Sequence, residues 1–249
     1  MSRLLQHDRR LLARHPSLVG VDEAGRGCLA GPVSAGAVWI DRAFFASRVR
    51  YALAGVVNDS KRLSPGAREE IHALLGVWEE AGAVRAAQAT ASVLEIDAFN
   101  ILGATRLAMQ RCLQALSAGA GGGVFLAATA GMDTPLFCDD GGRWPLVLVD
   151  GRALKPFAWR HRALVGGDGR SFAIALASVL AKVRRDRLMR ELDARYPQYG
   201  FAEHKGYGTA AHVAAIRRHG PCEEHRPLFL RSVLGGAGGG GAVHPEFAF

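Results

Sequence analysis

Leu18-Val19-Gly20-Val21-Asp22-Glu23-Ala24-Gly25-Arg26-Gly27 begins with small and branched apolar residues, sets two acids side by side, and then turns through glycine. The apolar run predicts a short buried strand over residues 18–22, with carboxylates where the chain leaves the core. Residues 33–40, again small and branched, predict a second strand. Outward from this pair, residues 66–82 carry a helical pattern and residues 83–91 a third strand. Ser92 and Glu95 form a capping box, the serine as N-cap and the glutamate at the third helical position. It opens a long helix to about residue 116, with Ile96, Phe99, Ile101, Leu102, Leu107 and Leu113 mostly at helical spacing. A Gly-rich stretch ends that helix, and residues 118–145 read as a long loop or insertion. Residues 146–149 predict an apolar strand running into Asp150-Gly151. A strand around residues 163–165 leads to Gly166-Gly167-Asp168, and residues 171–194 form another long helix. Thr209 caps a last helix that stops at Gly220-Pro221. Strands followed by helices make an α/β fold. The expected divisions are an N-terminal extension at 1–17, a main domain at 18–196, a helical segment at 197–234 and a disordered Gly-rich tail at 235–249.

Composition narrows the class. The chain has 249 residues, 49% of them hydrophobic, which suits one globular domain with a proper core. No apolar run reaches about 18 residues, so no membrane association is expected, and the Arg- and Leu-rich N-terminus lacks the layout of a secretory signal. Cys28, Cys112, Cys138 and Cys222 form no C-x-x-C pair and read as reduced thiols in a cytoplasmic protein. Net charge is +8 and unevenly spread: residues 1–151 balance 15 basic against 15 acidic residues, whereas residues 152–231 hold 16 against 7. Such a basic half suits a polyanionic partner, although solvated helices also carry this charge.

Asp22, Glu23, Asp150 and Asp168 sit at the ends of apolar strands or in the turns beside them. Open α/β sheets gather functional side chains at such ends. Each acid alone could be a turn former or a helix cap. Two adjacent acids after an apolar strand make a poor structural element without a compensating charge, and several carboxylates at one rim repel each other unless protons or cations neutralise them. Hard oxygen ligands favour Mg²⁺ or Mn²⁺. Two such ions about 3.5–4 Å apart can clamp the attacking and leaving oxygens of a phosphodiester displacement.

A series of motifs then resembles one family, ribonuclease HII. It begins at Gly20-Val21-Asp22-Glu23-Ala24-Gly25-Arg26-Gly27 with Ala30-Gly31-Pro32-Val33, and continues at Asn58-Asp59-Ser60-Lys61-Arg62-Leu63-Ser64. Ile96-Asp97, Asn100-Ile101-Leu102 and Ala108-Met109-Gln110-Arg111 follow, then Val149-Asp150-Gly151 and Gly167-Asp168. Ala177-Ser178-Val179-Leu180-Ala181-Lys182-Val183, Arg185-Asp186, His204-Lys205-Gly206-Tyr207-Gly208-Thr209 and Gly220-Pro221-Cys222 close it. The blocks span roughly residues 18–226 in the family's order.

The resemblance implies a ribonuclease H-like fold, a mixed central sheet flanked by helices with a small C-terminal helical segment. It implies an endonuclease that cuts the RNA strand of RNA·DNA hybrids and nicks 5′ of ribonucleotides embedded in duplex DNA, leaving 3′-OH and 5′-phosphate. Asp22, Glu23, Asp150 and Asp168 become the catalytic and metal-binding set for two divalent ions, Mg²⁺ or Mn²⁺. Gly25-Arg26-Gly27 becomes the turn that reads the ribose 2′-OH, largely through backbone groups, since glycine lets a backbone approach a sugar closely. Tyr207 matches a tyrosine that stacks on the neighbouring deoxyribose. Asn58, Ser60, Lys61, Lys182 and Arg185 fall in blocks near the substrate, where a solvated or helix-packing role is the alternative. Asp186 is expected to be structural, paired with a nearby arginine. The partners implied are RNA·DNA hybrid and ribonucleotide-containing duplex, acted on by a monomer in the cytoplasm. A binding protein with a dead site fits less well because all four acids are present, and a nuclease for branched DNA leaves the Gly-Arg-Gly turn and Tyr207 without a reason. The insertion at 118–145 and the sequence His225-Arg226-Pro227-Leu228-Phe229 depart from the family pattern, which puts the placement of the C-terminal segment in doubt.

Overall fold

A computed structural model describes residues 2–47, 63–118 and 144–234. Asn58, Ser60, Lys61, Cys138, most of the expected insertion and the Gly-rich tail lie outside the described residues. In chain order the elements are α1 (Arg3–Leu12), β1 (Ser17–Ala24), β2 (Val33–Asp41), α2 (Arg42–Ala46), α3 (Pro65–Glu80), β3 (Arg85–Ala91) and α4 (Val93–Ala118). There follow β4 (Leu146–Asp150), β5 (His161–Leu164), α5 (Phe172–Arg195), α6 (Phe201–His204), α7 (Ala210–His219) and α8 (Pro227–Leu234). Tight 3-10 turns at Gly167–Gly169 and Pro197–Tyr199 precede α5 and α6. The expected α/β class forms around one five-stranded sheet in the order β3-β2-β1-β4-β5. β2 runs antiparallel to both β1 and β3, while β1, β4 and β5 are parallel. Among the described residues no helix is long and apolar enough to cross a membrane.

β1 lies at the centre of the sheet, which explains its continuous apolar run: side chains on both of its faces are buried. On one face Leu18, Val38, Ile40 and Leu148 pack with α1, α2, α3 and α5. On the other, Val19, Val21, Ala35, Ala37, Val147 and Val149 pack under α4. The first half of α5 is buried all round, as expected of a helix laid across the middle of a sheet. Two glycines set how closely it lies. A Cβ on Gly20 would stand 2.1 Å from the carbonyl carbon of Ala173, and one on Gly36 would stand 2.4 Å from the Ala177 oxygen.

Three sequence expectations change. The N-terminal extension belongs to the core: Leu4, Leu5 and Leu12 of α1 are buried, and Asp8 reaches the start of α5. There its carboxylate accepts from the Ala173 amide at 2.9 Å and the Ser171 hydroxyl at 3.1 Å, so an anion caps the positive end of the helix. The long helix after Ser92 is capped as expected, with Ser92 and Glu95 bonded to each other's amides, but it is interrupted at Asn100 (φ 55°, ψ 174°). The Asn100 side chain accepts from the amides of Leu102 and Gly103 and restarts the helix as a second N-cap. Finally, β5 begins at His161 because Val147 on β4 pairs there, and Val165 is left exposed.

Candidate active site

Alternation along β1 places Asp22 on the same face as Gly20, towards α5. The parallel register, with Val21 beside Val149, sets Asp22 and Asp150 at the same end of neighbouring strands. Asp22 is 5% exposed. Its carboxyl is pushed well above the usual range, first by burial and then by the charges of Glu23 and Asp150; the Ser178 hydroxyl and the Glu23 amide pull the other way. The Glu23 amide donates to Asp22 Oδ1 at 2.7 Å. Burial also raises Glu23, against the pull of the Arg26 guanidinium 2.9 Å away. Asp150 Oδ1 accepts from the Gly167 amide at 2.6 Å, which ties the next turn to the end of β4. That turn carries Asp168, buried, whose Oδ1 accepts from the Gly169 amide at 3.0 Å. Three of the predicted acids thus share one electrostatic site, and the fourth lies in the turn bonded to it.

Among the described residues no three His, Cys, Asp or Glu side chains are gathered closely enough to enclose an ion, because Glu23 is turned to Arg26 and Asp150 to Gly167. The donor chemistry nevertheless fits a divalent cation. All four are hard oxygen donors, and mutual repulsion at a desolvated rim is what a cation relieves.

Beside the acids, the segment from Gly25 to Pro32 is knitted to the C-terminal part of the chain. The Leu29 amide donates to the Gly206 carbonyl at 2.8 Å, the Gly31 amide to Glu224 at 2.8 Å, and the Arg226 amide to Leu29 at 2.8 Å. Leu29, Ala30, Met189, Tyr199, Phe201, Ile216 and Leu230 form the small core beneath. Gly25 has φ +92°, and a Cβ there would overlap the Arg185 side chain, so glycine is required at that step. Tyr207, 45% exposed, stands on the neighbouring turn with an accessible ring. Burial, and then the Cys28 thiol beside it, pushes its phenol up. Its carbonyl is the end of a relay. The Cys222 amide donates to His225 Nδ1 at 3.0 Å, and His225 Nε2 faces His212 Nε2 at 3.1 Å. His212 Nδ1 donates to Tyr207 O at 2.9 Å, so each imidazole is neutral and its tautomer is fixed by its neighbour.

One expected substrate contact is placed differently. Arg185 is fully buried, and its guanidinium donates to the carbonyls of Ala30, Pro32 and Lys205; it holds backbone rather than facing a ligand. Lys182 pairs with Asp186 at 2.7 Å, with Arg68 3.8 Å from the same carboxylate, so Asp186 is structural as expected. Sequence reasoning missed Ser178 beside Asp22, although it sits in a quoted motif, and Arg226, which bonds the Gly25-Arg26-Gly27 turn from below.

The comparisons with known proteins bear on the whole frame. The family model described as ribonuclease HII matches residues 19–121 and 147–232. The ribonuclease HII of Thiobacillus denitrificans is 44% identical over 228 residues, covering 89% of this chain and 92% of that protein. That of Geobacillus thermodenitrificans is 41% identical over 235 residues, covering 93% and 76%. Among solved structures, ribonuclease H2 from Pyrococcus horikoshii OT3 superposes with a TM-score of 0.56 at 22% identity, covering 87% of this chain and 96% of that one. Bst-RNase HIII in complex with Mn²⁺ superposes with a TM-score of 0.59 at 18% identity, covering 94% and 73%, and both show a shared ribonuclease H-like fold. With a family pattern that runs through both halves of the sheet and relatives matched over most of their length, this chain belongs to the ribonuclease HII family of ribonuclease H enzymes.

Proposed function

We propose that the protein hydrolyses the RNA strand of RNA·DNA hybrids and nicks duplex DNA on the 5′ side of an embedded ribonucleotide, leaving 3′-OH and 5′-phosphate. Family membership supports the action on hybrids. The observation that carries the finer reading is the placement of Asp22 and Asp150 at the same end of neighbouring parallel strands, with Glu23 and then the Gly25-Arg26-Gly27 turn following Asp22 in the chain. Asp22, Glu23, Asp150 and Asp168 would hold two divalent ions, Mg²⁺ or Mn²⁺; the Mn²⁺ complex of a fold relative is consistent with this. Bound there, such ions supply Lewis-acid charge to the phosphodiester oxygens and lower the pKa of water. The chain's own part is to hold the acids and present the substrate. Ser178 and the Glu23 amide orient Asp22, and the Gly167 amide orients Asp150. The Gly25-Arg26-Gly27 turn brings backbone against the ribose, and the exposed Tyr207 ring meets the adjacent deoxyribose. Asn58, Ser60 and Lys61 would contact phosphate, with Lys182 contributing charge nearby. We take the working form to be a cytoplasmic monomer. The test is a duplex carrying one ribonucleotide, incubated with each metal beside an all-DNA control. A nick whose 3′ end a polymerase extends is expected in the first and none in the second. Equal cleavage of the two, or none with either ion, would refute the proposal.

A further inference from the structure

Two arginines lie beneath the Gly25-Arg26-Gly27 turn, 0% and 1% exposed, and no carboxylate pairs with either among the described residues. Arg226 donates to four backbone carbonyls: Gly25 at 2.8 Å, Arg26 at 2.9 Å, Gly31 at 2.9 Å and Pro32 at 3.2 Å. Arg185 donates to Pro32, to Ala30 at 3.0 Å and to Lys205 at 3.0 Å. Carbonyl dipoles, with the Phe229 ring 5.4 Å from the Arg226 guanidinium, therefore offset two buried cations. A planar guanidinium suits this role, since its fixed fork of donors can serve several acceptors at once.

The consequence follows from peptide geometry. In a trans peptide the N–H points opposite to the C=O of the same unit. The Gly25 carbonyl shares its peptide with the Arg26 amide, and the Arg26 carbonyl shares its peptide with the Gly27 amide. Both carbonyls point down to Arg226, so both amides point away from the core. Neither is taken by an acceptor among the described residues. Arg226 also reaches this turn across 201 positions of sequence, from the segment that bonds Leu29 and lies next to His225 of the relay to Tyr207.

We propose that Arg226, braced by Arg185, is a positioning residue for ribose recognition: by holding two carbonyls inward it aims the Arg26 and Gly27 amides at a ribose 2′-oxygen. The inference rests on the reading that this turn meets the ribose. It adds that the C-terminal segment sets the geometry of that reading, so ribose selectivity is a property of two distant parts of the chain. Docking a polyanion above the turn also favours two buried positive charges that have no acidic partner among the described residues.

Arg226→Lys keeps the charge but cannot span four carbonyls. Binding is measured to two duplexes that differ by a single 2′-OH, together with kcat/KM on the ribonucleotide duplex and affinity for Mn²⁺. Loss of one aimed hydrogen bond should lower the preference for the ribonucleotide duplex, and kcat/KM on it, roughly ten-fold. Affinity for all-DNA duplex and for Mn²⁺ should stay within about two-fold, which a general loosening of the fold would not leave intact. If the variant is too unstable to assay, deuterium exchange on the parent protein decides: the ribonucleotide duplex should protect the peptide holding Arg26 and Gly27 more than the all-DNA duplex does. A parent that binds both duplexes equally overturns the reading of the turn and this inference with it. A parent that discriminates, with Arg226→Lys discriminating just as well, overturns the inference alone; a parent that discriminates with no difference in exchange at Arg26 and Gly27 overturns the reading of the turn as well.

Discussion

Gly20→Ala tests whether the contact between β1 and α5 holds the acids in place. The added methyl would stand 2.1 Å from the Ala173 carbonyl carbon, 2.3 Å from its oxygen and 2.3 Å from the Ile174 nitrogen. Ordinary contact begins at 3.4 Å, so strand and helix must separate by about 1.3 Å (3.4 − 2.1). Overpacking costs about 1–3 kcal/mol. All three obstructing atoms are backbone and cannot rotate aside, which puts the cost near about 3 kcal/mol. At about 2–4 °C per kcal/mol for a chain of this size, Tm should fall by about 6–12 °C. The damage should also be local. Asp22 lies two residues further along β1, and Ser178, which bonds it, lies just past the contact on α5. Misplacing catalytic groups by about 1 Å can cost about 10²-fold in rate. Gly76→Ala supplies the control: it is inside α3 with no atom within 4 Å of the added methyl, and should stabilise by about 0.5–1 kcal/mol without touching catalysis. Thermal unfolding and single-turnover cleavage of a one-ribonucleotide duplex are the assays, the latter well below Tm. Melting within about 1 °C of the parent with an unchanged rate would refute the argument that this contact positions Asp22.

Asp150→Asn should reduce cleavage below detection while duplex binding, by anisotropy, stays near the parental value, because the amide oxygen can still accept from Gly167 but the charge is gone. Tyr207→Ala should slow cleavage at a single ribonucleotide by roughly ten-fold, near the lower end of the roughly 1–3 kcal/mol of a lost stack, while Tyr207→Phe retains most activity; equal rates for the alanine variant and the parent would remove Tyr207 from substrate recognition. Burial lowers His212 from the ordinary 6.5 to about 4. As pH falls the unfolded chain takes the proton first, so urea unfolding should show full stability above about pH 6.5 and a loss approaching 1.4 kcal/mol per unit between there and about 4, a slope that His212→Asn should flatten.

What could be read from the sequence was what local chemistry writes into it. Asp22 and Glu23 stand out because two charges after an apolar strand violate a local rule, and the Ser92 and Thr209 caps because four consecutive positions suffice to specify them. The residues that were missed act over distance. Asp8 looks like one more charge on an amphipathic helix, yet it accepts from the Ala173 amide in the first turn of α5, 165 positions later. From the sequence Arg185 is a candidate substrate contact, Arg226 lies in a stretch that departs from the family pattern, and the excess positive charge of the segment suits a polyanionic partner. Two of those cations are instead internal, bonded to carbonyls. The charge of a segment therefore says little about how much of it meets the substrate.

Gly20 is legible in the sequence by a local rule of its own. A glycine inside an apolar strand costs conformational entropy and buries no side chain, so its presence at Gly20 marks a close approach by another backbone. It therefore calls for a close backbone neighbour against β1 at that level, two residues before Asp22, and α5 is that neighbour. The same logic connects fold to chemistry. The closer α5 lies on the sheet, the drier the end of β1 becomes, and the more strongly the charges of Glu23 and Asp150 act on Asp22. A looser contact would admit water and weaken that repulsion, and with it the demand for a cation. The glycine that contributes no side chain to the site thus strengthens the repulsion on which the proposed metal binding rests.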